Sequence, residues 1–341
     1  MPRYETAKVL TDDLSSHPAV LAWAQLRNES CEPESVTVLK ERRKGKKGRS
    51  AVYRLDGVGP SGDGVIAKRC LRASAAIERT IYEQVLPHVP VPSLDYYGSI
   101  GEQQGEFSWI FLQDAGKQAF VPHNERHRAA AAIWLGIVHV STQRMVTVQS
   151  LPNRELGHYQ EHLRTARKLI LRRLDNATCA TDETETLKNI LTHSEHLELH
   201  WSRLENLCET MPITFVHGDF VARNIRLRMN HNDCIILPFD WESSGWGTPV
   251  IDLAQSSLGS TPFSADPDLT AYWTVVRDYW PSVQAQTLGR LALVGSVLRL
   301  LNAIYWAALG LSCEWVERSL RNLTIYEARL ADAVRALNSE T

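Results

Sequence analysis

Cysteine is sparse and never paired in this sequence. The six cysteines, Cys31, Cys70, Cys179, Cys208, Cys234 and Cys313, are scattered over 341 residues with no CxxC and no close spacing. That excludes a disulfide framework and a cysteine-based zinc site, and a reducing cytoplasm is the expected compartment. Surplus charge is missing too. A net charge of -2 and a pI of about 6.6 leave no cationic excess of the kind that nucleic-acid and membrane-surface binders carry, so neither is an expected partner. The opening residues MPRYETAKVLTDDL lack the apolar core of a signal peptide. One apolar run, Leu291 to Leu311, approaches membrane-spanning length, but Arg299 and Asn302 interrupt its middle. A buried helix of a large lobe fits it better. No internal repeat and no long low-complexity tract is present.

What remains is an ordinary globular composition, 44% hydrophobic, with length for about two domains or lobes. The informative stretch is 211–254, MPITFVHGDFVARNIRLRMNHNDCIILPFDWESSGWGTPVIDLA. Ile213 to Val216 reads as a buried strand, which puts Asp219 on the turn that follows. The runs from Ile225 to Arg228 and from Cys234 to Phe239 read as a hairpin with MNHND at its tip and Asp240 at its end. The loop from Asp219 to Asn224 and the end of the second strand then lie side by side. One carboxylate can face a substrate hydroxyl while Asn224 and Asp240 offer oxygens to a hard cation.

The spacing His-x-Asp-x-x-x-x-Asn, with a strand-terminal Asp sixteen residues later, resembles the aminoglycoside phosphotransferase and choline kinase group of kinase-like enzymes. HGDFVARN and DWESSGWGTPVIDLA carry that resemblance. It implies an α+β, two-lobed protein-kinase-like fold with a small antiparallel-sheet N-lobe and a large helical C-lobe. It also implies Asp219 as catalytic base, Asn224 and Asp240 as magnesium ligands, and Asp252 as a brace for the catalytic loop. The expected lobes are 1–112, nucleotide-binding with a helical extension over about 1–35, and 113–341, catalytic and acceptor-binding. The activity implied is transfer from ATP, or GTP, to a hydroxyl of a small molecule. An aminoglycoside or related antibiotic leads, and choline, homoserine or a sugar is the alternative. A nucleotide-binding regulator without turnover is the reading from another class, and the intact set Lys68, Asp219, Asn224 and Asp240 argues against it.

Upstream, period-two patterning from Val36 predicts a three-stranded meander: VTVL, AVYRL and VIAKR. Its first turn, KERRKGKKGRS, carries Gly45, Gly48 and Ser50 among basic residues. It could cradle a phosphate, though its glycines do not form GxGxxG. Lys68, two strands on, is the candidate phosphate-holding lysine. Its carboxylate partner should lie on the next helix, Ala73 to Val85, where Glu78 best resembles the family glutamate and Glu83 is the alternative. Trp109 to Leu112 reads as a strand leaving the sheet at Gln113 to Gly116. In kinase-like folds this position is the hinge, and the resemblance implies that the backbone near Gln113 and Ala115 meets the adenine edge.

Further expectations cover the remainder. Pro18 to Leu26 should be a helix capped by Ser16, and Arg128 to Gln143, Leu156 to Leu174 and Glu183 to Leu207 should be helices. A further helix should begin near Asp252. His139 reads as packed, and His196 with His200 as a charged solvated face rather than a metal site. Trp273, Trp280, Trp306 and Trp315 read as core. Only eleven residues, 241–251, separate Asp240 from Asp252. That is too few for a peptide platform, so a small-molecule acceptor is expected, with Asp266, Asp268, Glu314 and Glu317 available to attract a cation.

Overall fold

The computed structural model describes residues 8–40, 50–103, 105–145, 150–176, 181–230, 233–256, 264–313 and 316–339. A short strand β1 (Lys8–Leu10) and helix α1 (Pro18–Arg27) precede β2 (Val36–Lys40), β3 (Ala51–Leu55) and β4 (Val65–Leu71). Helix α2 (Arg72–Thr80), continued by a wider turn over Ile81–Val85, leads to β5 (Tyr96–Gly101) and β6 (Phe107–Gln113). The six strands form one antiparallel sheet in the order β1-β2-β3-β4-β6-β5. The predicted meander is its centre. β1 is an edge strand that the sequence reading did not contain.

Period-two alternation sorts this sheet into two faces. Val65 and Ala67 of β4, with Trp109 and Phe111 of β6, pack against Ala19, Val20 and Trp23 of α1. The intervening residues Cys70, Ile110 and Leu112 join the larger core on the other side. Lys68 shares that second face, which aims its side chain toward α2. Helix α1 therefore closes one side of the sheet, a role its sequence did not disclose. Its cap is also not the one expected: His17 accepts the Ala19 N–H at 3.2 Å, whereas the Ser16 hydroxyl turns back to Asp13.

After β6 the chain is mainly helical. α3 (Glu125–Thr142), the two-residue β7 (Asn153–Arg154), α4 (Leu156–Asn176), α5 (Thr181–Leu199) and α6 (Trp201–Cys208) come first. The span expected as one helix from Glu183 is thus two, broken at His200. Next are β8 (Thr214–Val216), the hairpin β9 (Ile225–Asn230) and β10 (Asp233–Pro238), and β11 (Gly245–Gly247). β11 pairs with β8 and β7. The short segment between Asp240 and Asp252 thus contains a strand. Among the described residues no α-helix begins near Asp252, which lies in a 3-10 turn, Pro249–Leu253. The remaining helices are α7 (Leu269–Val276), α8 (Leu288–Leu309) and α9 (Val316–Ser339).

Helix α8 is apolar on nearly every side and lies inside the helical part, packed by α4 and α9. Among the described residues, Ala285–Ser312 is the one stretch long and apolar enough to cross a membrane, and 78% of its most apolar window is buried within the protein. It crosses the Pro249–Leu253 turn at Gly295, where a Cβ would sit 1.8 Å from the Val250 carbonyl oxygen. Gly295→Ala should therefore push the turn from the helix and cost about 1–3 kcal/mol, as overpacking does. An unchanged melting temperature would contradict this.

Candidate active site

Strand β4 carries Lys68 and α2 carries Glu78, and the structure joins them: Lys68 Nζ contacts Glu78 Oε1 and, from the far side, Asp240 Oδ1. Glu78 is fully buried, while Glu83 faces solvent and pairs with Arg79 at 2.9 Å. Of the two carboxylates open in the sequence, only Glu78 faces the lysine. Burial opposes the ammonium charge of Lys68, but Glu78 and Asp240 outweigh it and hold its pKa well above the ordinary lysine value. Burial pushes Glu78 up to about 7 against the pull of Lys68. At Asp240 burial raises and Lys68 lowers, and the lysine prevails. Asp240 follows β10 in the left-handed region, φ 70 and ψ 63, a conformation Asp tolerates better than most residues.

The loop after β8 is held from beneath. Asp252 accepts the backbone N–H of His217 at 2.7 Å and of Gly218 at 2.9 Å, and the Ser244 hydroxyl donates to the His217 carbonyl at 2.9 Å. Burial raises the Asp252 pKa, but His139 and His217 outweigh it and keep the carboxyl below its ordinary value. His139 lies 3.5 Å from Asp252 and 2.9 Å from the Tyr272 hydroxyl, fully buried. It is packed under the loop, as its sequence context predicted. Gly218 is required by two constraints at once: its φ is +75, and a Cβ would lie 2.4 Å from the Ser243 carbonyl oxygen.

This scaffold presents Asp219. Asn224 donates Nδ2–H to the Asp219 carbonyl at 3.1 Å and to its carboxylate Oδ2 at 3.0 Å. The amide therefore turns its nitrogen to Asp219, leaving its oxygen for another partner. Phe239 N–H donates to the Asn224 carbonyl at 3.0 Å, which sets Asp240 beside Asn224 across the hairpin.

With that geometry in place, comparison with known proteins is decisive at the family level. The family model described as "Phosphotransferase enzyme family" matches residues 43–285. The chain belongs to the phosphotransferase enzyme family. No curated protein sequence matches it. Solved structures do. The GDP and kanamycin complex of an APH(2") enzyme is 12% identical over 90% of this chain and 97% of that one, with a TM-score of 0.57. Plasmodium vivax ethanolamine kinase is 14% identical over 90% and 84%, TM-score 0.58. An ADP-bound aminoglycoside phosphotransferase, APH(2'')-Ib, is 16% identical over 91% and 98%, TM-score 0.53. At such identities the likeness shows the fold, which is α+β, two-lobed and kinase-like.

In this phosphotransferase β6 ends at Gln113, where the sequence reading expected the chain to leave the sheet. Gln113 N–H bonds to the Asp95 carbonyl at 2.9 Å, Asp114 N–H to the Gly64 carbonyl at 3.3 Å, and Gly116 N–H to the Asp114 carboxylate at 2.9 Å. Among the described residues the Ala115 N–H has no partner. The Gln113 side chain is engaged elsewhere, accepting from Arg228 at 3.2 Å. Ser50 is half-buried just before β3, and the basic turn with Gly45 and Gly48 lies outside the described residues.

Two arginines that the sequence reading did not place in the site reach Asp219. Arg223 Nη2 is 2.6 Å from Oδ2, and Arg299 Nη2 of α8 is 3.5 Å from Oδ1. The signal for Arg299 was visible as a charge inside an apolar run, but its destination was not. Of the acidic residues expected to attract a cation, two are engaged in backbone contacts. Asp266 accepts the Ser256 N–H at 2.5 Å, and Asp268 caps α7 through the Ala271 N–H at 3.0 Å. Glu317 is exposed, and Glu314 lies outside the described residues. No group of three metal-ligating side chains occurs among the described residues. His196 and His200 sit beside Glu195 and Glu198, which pair with Arg167 and Arg164. Trp280 is core, Trp306 is 56% exposed, and Trp315 is not among the described residues.

A double-mutant cycle tests the buried pair. Lys68→Ala and Glu78→Ala should each lower kcat/KM, and the double variant should lose less than their sum by about 0.5–3 kcal/mol. Full additivity would show that the two act separately.

Proposed function

We propose that the protein transfers the γ-phosphoryl group of ATP or GTP to a hydroxyl of a small molecule. The observation that carries this reading is Lys68, held between Glu78 and an Asp240 that is 172 residues away, next to a loop that presents Asp219. Asp219 is the catalytic base, orienting and deprotonating the hydroxyl. Lys68 holds the nucleotide phosphates and Glu78 positions it. Ser50 adds a phosphate donor at the start of β3, and the backbone at Gln113 and Ala115 takes the adenine or guanine edge.

A magnesium ion suits the donor set: the Asn224 amide oxygen, freed by the two Nδ2 contacts to Asp219, and the Asp240 carboxylate. When bound, it neutralises charge on the phosphates. The nucleotide-binding lobe is 1–112 and the catalytic, acceptor-binding lobe 113–341. The cytoplasm is the compartment that fits an ATP-dependent enzyme with unpaired thiols.

A small acceptor is favoured because the residues between Asp240 and Asp252 are mostly buried and partly spent on β11, which leaves no platform for a peptide. The structural neighbours named for aminoglycosides, choline and ethanolamine supply the first acceptors to try. The test is incubation with magnesium ATP or GTP and panels of aminoglycosides, amino alcohols, sugars, hydroxy acids and generic protein substrates, with phosphate transfer read by mass spectrometry. Transfer to a small molecule supports the reading. Labelling of protein serine or threonine with no small molecule modified overturns it.

A further inference from the structure

The loop that presents Asp219 is held at both ends by buried charges. At its start Asp252 accepts the N–H groups of His217 and Gly218. At its other end Arg299 of α8 donates Nη1–H to the Phe220 carbonyl at 3.1 Å, and its Nη2 lies 3.5 Å from Asp219 Oδ1. An anion thus takes the amides before Asp219, and a cation takes the carbonyl after it.

Helix α8 reaches the loop because of what stands one turn earlier. Gly295 and Arg299 are four residues apart and share a face of the helix. A side chain at 295 would collide with the Val250 carbonyl, so glycine there lets α8 lie against the turn that carries Asp252. Ser296 adds a fixed point, its hydroxyl accepting the Gln255 N–H at 3.1 Å. Arg299, one turn on, then stands beside both acids.

Arg299 is almost fully buried, and its charge is matched there. Burial and Arg223 lower its pKa, while Asp219, Asp252 and Tyr159 act the other way. Burying such a group in a helix that is otherwise apolar is costly, and a packed apolar side chain would fill the space without that cost. Arg223 contacts the same carboxylate at 2.6 Å. It is exposed and belongs to the loop itself, so it cannot tie the loop to the helical body.

We propose that Arg299 is a positioning residue: from α8 it fixes the Phe220 peptide and the Asp219 carboxylate, so that the carboxylate faces the acceptor hydroxyl. The proposal rests on the reading of Asp219 as base given above. A planar guanidinium holds its nitrogens in a rigid fork and can serve a carbonyl and a carboxylate at once, which the compact ammonium of lysine does not do in the same geometry. Arg299 should therefore matter to the chemical step and not to nucleotide binding.

The test compares Arg299→Lys, which keeps the charge and loses the fork, with Arg299→Met, which keeps an apolar helix filled and leaves Asp219 paired with Arg223. Phosphate release from magnesium ATP and GTP, with water as the acceptor, gives kcat and KM. Calorimetry gives nucleotide affinity, and amide hydrogen exchange reads the loop without any need for turnover. Both variants should bind nucleotide within about twofold of the parent, a change smaller than the worth of one hydrogen bond. At unchanged KM, kcat should fall about a hundredfold, the size of a misplacement by one ångström. Exchange over 217–221 should quicken about tenfold, the worth of a hydrogen bond to a charged group, with β9 and β10 unaffected. In an Asp219→Asn background either substitution should lower kcat by less than about threefold more, since groups that act as a unit are not additive.

Parental kcat in a variant that binds nucleotide overturns the proposal and leaves the phosphotransferase reading standing. Unchanged exchange over 217–221 overturns it as well. Failure of both variants to fold, or fast exchange spread through α4, α8 and α9, makes the arginine a residue of the core and nothing more. A loss confined to KM or nucleotide affinity assigns it to binding, and losses that multiply fully with Asp219→Asn show that the two act separately; either overturns the proposal. A parent protein that binds no magnesium nucleotide removes the reading beneath it.

Discussion

Asp219→Asn should bind magnesium nucleotide as the parent protein does and lose about 10²–10⁴-fold in kcat, the range for removal of a general base. The substitution keeps the shape that Asn224 and the two arginines recognise but deletes the charge proposed to take the hydroxyl proton. Because the base acts in the transition state, kcat and kcat/KM should fall together while affinity holds. The separation is measurable: calorimetry for nucleotide affinity and single-turnover phosphate transfer for chemistry. Near-parental turnover would remove Asp219 from the role of base.

Asp240→Ala should behave in the opposite way, with the loss falling on binding. It deletes the carboxylate proposed to face the metal and one of the two anions that hold Lys68, so magnesium-dependent nucleotide affinity should fall about a hundredfold or more. Loss of a group that merely supports a metal ligand already costs about 10–100-fold. The difference should appear only with the ion present, because the backbone proposed to take the adenine edge, at Gln113 and Ala115, lies at the end of another strand. Titrations with and without magnesium decide it. Unchanged affinity in the presence of the ion would take Asp240 out of the metal site.

Much of this protein was legible in its sequence because the informative parts are local. The meander from Val36 to Arg69, the hairpin after Asn224 and the turn at Asp219 follow from period-two runs ended by Gly, Asp and Asn, all within a few residues of one another. The stretch 211–254 is legible for the same reason: Asp219, Asn224 and Asp240 sit on one loop and one hairpin, so spacing implies proximity. Where the reading failed, the deciding contact lay elsewhere. Ser16 looked like a cap, but His17 is one residue nearer the first turn. A continuous helix was expected past His200 and a new one near Asp252. The first breaks at His200, and among the described residues no α-helix starts near Asp252, where the pairing of β11 with β8 and the passage of α8 at Gly295 set the chain direction.

The sequence by itself determined most of the sheet, the hairpin after Asn224 and the nucleotide-facing candidates, because these rest on short-range pattern and segment length. Only the tertiary structure decided that Glu78 rather than Glu83 meets Lys68, that Asp266 and Asp268 are spent on the backbone, and that Arg299 reaches Asp219 across 80 residues. The physical reason is common to all three. A side chain's charge is written in the sequence, but whether that charge is matched, capped or left to meet a substrate depends on which helix packs beside it.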